Sequence, residues 1–126
     1  MRHFIATALI VVAIIHLLPV VGVLGPPRLA GLYGVSVSEP NLELLLRHRA
    51  ILFGIIGLLL AVAAFRVSLQ PIALLVGLAS VVSFLALAWI VGPINAQLHR
   101  VVIADVLALI LLLGAGVAHL SSRGAG

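Results

Sequence analysis

The sequence predicts an all-α integral membrane protein, an antiparallel four-helix bundle formed by a single membrane domain over residues 1–126. Three observations carry this expectation. The chain is 64% hydrophobic and only 8% charged, more apolar surface than 126 residues can hide from water. The apolar residues collect into four runs, each near the roughly 20 residues a helix needs to cross a bilayer core. Clusters of proline, glycine and polar residues separate the runs, so the connections after the second and third are short and neighbouring spans run in opposite directions.

The first span covers about 4–24. A secretory leader would have an apolar core of roughly 7–15 residues and a small-residue cleavage site, so this run reads as a retained anchor. His16 and Pro19 lie near its far end, where the proline removes a backbone donor and loosens the last turn. Gly25-Pro26-Pro27 stops it. The connection to Ser38 reads as an ordered interfacial segment or a lid, with Tyr33 as a headgroup anchor.

Ser38-Glu39-Pro40-Asn41 has helix-start chemistry, with the Ser38 hydroxyl as cap and proline where its missing N–H does no harm. The second span covers about 42–65, and at helical spacing Glu43, Arg47, Ala50, Gly54, Gly57 and Ala61 share one stripe. Small residues mark close helix approach in membranes, so this stripe is expected to face the bundle. The third span covers about 71–91, with small residues at Ala73, Gly77, Ser80 and Ser83 and Trp89 at its interfacial end. Gly92-Pro93 ends it, and the fourth covers about 96–119.

Alternation of direction places His16, Glu43, Arg47, His48, Asn95, His99 and Asp105 toward one leaflet. Asp105 lies two to three turns inside the fourth helix, where an ionised carboxylate needs a partner. These seven residues are the candidate lining of a polar ligand pocket between the first, second and fourth spans. A second reading remains open, in which Glu43–Arg47 and Asp105 are interhelical glue. Arg28, Arg49 and Arg100 are expected to reach lipid headgroups. The opposite end holds Arg2, His3, Arg66, Gln70, His119 and Arg123, read as simple flanking residues.

Composition trims the chemistry further. The absence of cysteine removes disulfides, thiolate metal sites and dithiol redox chemistry. No basic stripe with interleaved aromatics exists for nucleic acid, and the net charge of +4 is carried by arginines at membrane borders, where anionic headgroups are the natural partner. No His-x-x-His, His-Glu-x-x-His or Glu-x-x-His spacing is present, so no metal or haem is assigned; His48 and His99 are the histidines that would serve as axial ligands. Gly-x-Ser-x-Gly and phosphate-binding loops are also missing. A histidine–carboxylate pair at the membrane border still permits proton transfer on a quinone-like or phenolic substrate.

The segments Leu32-Tyr33-Gly34, Leu45 to Gly54 and Asn95 to Asp105 are similar to those of small bacterial four-helix membrane proteins of the DoxX-like kind. Similar sequences sometimes carry the name phosphopantetheine adenylyltransferase. The soluble enzyme of that name uses a Rossmann-like sheet and a His-x-Gly-His motif, neither of which is found here. Pro93-Ile94-Asn95 also resembles the start of the last helix in the anthrone-oxygenase-like membrane family. The resemblance implies a multi-pass protein of the bacterial inner membrane. The expected function is binding of a lipid-like ligand, a partner membrane protein or a second copy of the chain. The alternatives are a membrane oxidoreductase or oxygenase and, further off, a dimeric small-molecule transporter. Arginines divide three to four between the two ends, too evenly to fix orientation.

Overall fold

The structure, a computed structural model, describes residues 1–125, and over these it is helical with no strand. Helix α1 spans Arg2–Leu17 and passes into a 3₁₀ segment, Leu18–Leu24. Pro19 lacks the amide that would bond the Ile15 carbonyl, and the tighter winding persists for two turns beyond it.

The connection that follows is a short helix, α2, Pro26–Tyr33. Two prolines occupy its first positions and Gly34, at φ +65°, ends it in the left-handed region. A side chain at Gly34 would also collide with Gln97. Tyr33 is buried with Leu29 and Val37, walled by Leu46, Leu98 and Val101, and is therefore not the headgroup anchor the sequence suggested. Leu29 and Tyr33 are four residues apart and share the one face that α2 turns toward the protein.

Helix α3 spans Pro40–Ala63. Its cap is Glu39 rather than Ser38: the carboxylate accepts from the amides of Asn41 at 3.0 Å and Leu42 at 3.1 Å. After a 3₁₀ turn at Val67–Leu69 come α4, Gln70–Val91, and α5, Ala96–Ala125. Four helical stretches are long and apolar enough to cross a membrane: Arg2–Leu24, Pro40–Ala63, Val67–Val91 and Ala96–Gly124. The last runs through Gly114 and Gly116, which weaken a helix by only about 1 kcal/mol each, and continues past its expected end near 119 into the polar Ser121-Ser122-Arg123.

Helix α1 packs against α3 and α5, and α4 closes the ring by packing on both. Leu9, Val12, Leu60, Val81 and Leu112 form the fully buried centre. Gly57 lets α3 approach α1 closely, since a Cβ there would stand 2.7 Å from Leu17 Cγ. Of the predicted stripe, Ala50 and Gly57 are buried and Gly54 and Ala61 half-buried, whereas Arg47 at its upper end is exposed. The outer faces carry Leu44, Ile55, Leu58, Leu75, Ile90, Ile103 and Ile110, an apolar girdle suited to lipid.

Candidate functional site

The polar interior is organised around Arg49, two residues, or about half a turn, C-terminal to the end of the Glu43–Arg47 segment. Its guanidinium carbon lies 4.1 Å from the Phe53 ring centroid, 5.3 Å from that of Phe84 and 5.5 Å from that of Tyr33. Phe53 sits four residues along α3 from Arg49 and so lies beneath it on the same face. Three ring faces thus solvate a half-buried cation. This differs from the headgroup position expected for Arg49.

Beneath this cage His16 is buried and fully partnered. Its Nδ1–H donates to the Val12 carbonyl at 3.0 Å, which leaves Nε2 to accept from the Ser80 hydroxyl at 3.1 Å. The Phe53 ring meets the imidazole edge-on, with centroids 5.4 Å apart. His16 therefore joins α1 to α4.

Asp105 is also buried, yet among the described residues its carboxyl has neither a hydrogen bond nor an ion pair to any side chain or amide. It faces a cavity of about 170 Å³ between α1, α3 and α5, whose walls include Ile15, His16, Pro19, Phe53 and Ala104, with Arg100 also on the lining. A second space of about 500 Å³ lies between α3 and α4, lined by Arg49, Phe53, Ser80, Ser83 and Phe84 among others. Phe53 is the partition common to both. Burial pushes the Tyr33 phenol above its ordinary 10.0, and the positive charge of Arg49 works against that shift.

The seven predicted lining residues separate into distinct places. His16 and Asp105 share the inner cavity. Glu43, Arg47 and His48 instead line an outer groove of about 390 Å³ beside Val23 and Pro40. There Arg47 pairs with Glu43 at 3.2 Å, the i, i+4 ion pair expected from the spacing, and donates from Nε to the Val23 carbonyl at 3.0 Å. Asn95 is a brace: its amide donates to the carbonyls of Tyr33 at 2.8 Å and Gly34 at 3.2 Å, while its Oδ1 accepts from the Leu98 amide. His99 is exposed on α5, and Arg28 is exposed on α2.

Sequence reasoning missed Arg49, Phe53 and Ser80, and at the opposite end it missed a buried Gln70–His119 pair. The only local signal was the Arg49–Phe53 spacing. Among the described residues no group of three or more histidine, cysteine or acidic side chains is placed to hold a metal ion. No family model, no curated protein and no solved structure matches this chain.

Proposed function

We propose that this protein is a multi-pass protein of the bacterial inner membrane that binds a lipid-like amphiphile with a hydrogen-bond donor in its head, and that Asp105 is the acceptor for that head. The observation that carries this is the unpartnered Asp105 carboxyl on the wall of a largely apolar cavity, whose other polar lining residues are His16, already partnered, and the exposed Arg100. A carboxyl turned into such a cavity without a protein hydrogen bond costs on the order of 1–3 kcal/mol where water does not reach it, and a ligand hydroxyl or ammonium group offsets that cost while a hydrocarbon portion fills the apolar walls. The partnered His16 and the caged Arg49 hold the surrounding helices in place. A ring-bearing head, phenol- or quinol-like, meets the same needs, with Asp105 as acceptor and Phe53 as a flat wall. This is the form in which the oxidoreductase alternative remains open.

An antiparallel bundle is supported by which ends meet. A Cβ at Gly114 would meet the Phe4 ring, and His16 shares its cavity with Asp105, so advancing along α1 means retreating along α5. The DoxX-like assignment is likewise proposed. Its three segments converge here: Tyr33 and Gly34 are held by Asn95, Arg49 and Phe53 form the cage, and Asp105 closes the cavity.

The test is lipid extraction from protein purified in mild detergent, followed by mass spectrometry, for wild type, Asp105→Asn and Asp105→Leu. A hydroxyl- or amine-bearing amphiphile retained at near one per chain by wild type, and reduced about tenfold in Asp105→Leu, supports the assignment. Identical extracts from correctly folded wild type and Asp105→Leu would sink it.

A further inference from the structure

The end of the molecule remote from Asp105 carries a second polar cavity, of about 280 Å³, lined by Arg2, Gln70, His119, Ser122 and Arg123 with apolar neighbours. His119 is 93% buried, being only 7% exposed, and among the described residues its Nε2 is the one side-chain polar atom sealed from solvent without a partner, whereas the Asp105 carboxyl opens onto its cavity. The hydrogen bonding defines what that nitrogen offers. Gln70 donates from Nε2 to the Ala63 carbonyl at 3.2 Å, which turns its Oε1 toward His119 Nδ1 at 3.1 Å. An oxygen acceptor requires Nδ1 to carry a hydrogen, so in the neutral ring Nε2 presents a lone pair.

A lone pair sharing a cavity with two arginines and, among the described residues, with no acidic side chain in the lining sets an unusual requirement. A simple anion satisfies the arginines but offers the imidazole nothing to accept. A simple alcohol satisfies the imidazole but leaves the arginines without a counter-charge. A monoanionic phosphate monoester meets both, because it has negatively charged oxygens and a P–OH donor on one centre. That form predominates below the second pKa of such esters, about 6, so the preference is to be read on the acid side of neutrality. We infer that this cavity is a phosphate-monoester site, in which Arg2 and Arg123 bind the charged oxygens and His119 Nε2 accepts the P–OH. Its volume is about nine times the roughly 30 Å³ share of one water, enough for the phosphate group. The same chemistry is offered by the headgroup of phosphatidic acid and by free phosphate.

The test uses the full chain in detergent micelles doped with short-chain phosphatidic acid or phosphatidylmethanol, with binding read by calorimetry. Phosphatidylmethanol is a phosphodiester, charged but without any O–H donor. Wild type is expected to prefer phosphatidic acid about tenfold, and His119→Phe to lose that preference. The exposed Arg123→Gln, which leaves the buried pair untouched, is expected to weaken phosphatidic acid binding several-fold. Competition by millimolar inorganic phosphate identifies the free ion as a ligand, and failure to compete assigns the site to the lipid headgroup; both agree with the inference. Equal binding of the two lipids by wild type, or an unchanged preference in folded His119→Phe, overturns it.

Discussion

Asn95, the residue immediately before α5, donates its side-chain amide to the backbone carbonyl of Tyr33 at the end of α2, 2.8 Å away, and through the same side chain caps the first turn of α5. One residue thus ties together the two elements above the cavity. Asn95→Ser keeps a capping oxygen but removes the brace, and Asn95→Ala removes both. Stability should fall by about 1 kcal/mol for serine and about 2 kcal/mol for alanine, read as apparent melting in detergent. Hydrogen exchange separates the two roles: in Asn95→Ser the α2 amides should exchange faster while those of 98 and 99 hold. Unchanged exchange in α2 would remove the brace.

The cage around Arg49 gives a graded series. Lysine keeps the charge but not the flat guanidinium that lies over Phe53 at 4.1 Å, and leucine keeps only bulk. Arg49→Lys is expected to lose about 0.5–1 kcal/mol and Arg49→Leu up to about 2 kcal/mol. Phe84→Leu should lower the melting temperature of wild type more than that of Arg49→Leu. Additive effects in that double-mutant cycle would argue against a cage.

Close approach of α1 and α3 depends on Gly57. Gly57→Ala would set a Cβ 2.7 Å from Leu17 Cγ and 3.3 Å from the Ala13 carbonyl, an overpacking that should cost about 1–3 kcal/mol. Gly116→Ala meets nothing within 4 Å and should be neutral or stabilise by up to about 1 kcal/mol through helix propensity. Melting of the two variants side by side checks the contrast.

Tyr33 is the chain's single tyrosine, so its ionisation can be followed by ultraviolet absorbance without overlap. Because burial raises its pKa, the unfolded chain releases the phenolic proton first as pH climbs through 10.0. The unfolded state then binds fewer protons than the folded one, and stability must fall with rising pH from that point to the folded pKa. Tyr33→Phe should flatten this part of the stability curve. A phenol titrating at its ordinary value in folded protein would contradict the buried position.

Trp89, also single and 88% exposed near the end of α4, reports on insertion. In vesicles its emission should be quenched more strongly by lipids brominated near the headgroup than by those brominated deep in the chain. Deep quenching would move the membrane border away from this residue.

The long helices were legible because length and apolarity alone define them. The first connection was not: α2 is only eight residues, contains Gly31, and lacks a side-chain cap, so nothing local distinguishes it from an interfacial coil. The choice between Arg47 and Arg49 was equally hidden. Two residues separate them, about 200° around a helix, and with apolar residues on every side of α3 no periodicity shows which arginine turns inward. Asp105 and His16 stood out as polar residues in apolar runs, whereas Ser80, the partner of His16, lies 64 residues away and is one of several serines in the chain. Sequence reasoning finds the groups that need partners more readily than it finds the partners.

The tighter winding of Leu18–Leu24 has a mechanical corollary. With three residues per turn, Leu18, Val21 and Leu24 stack into a straight ridge, and all three are exposed. The same seven residues in α geometry would span about 3.5 Å less, at 1.5 rather than 2.0 Å per residue, and would wind that ridge around the axis. Interconversion of the two windings would change the hydrophobic height of one wall without moving the other three, so a thinner bilayer favours the α form and a thicker one the extended form.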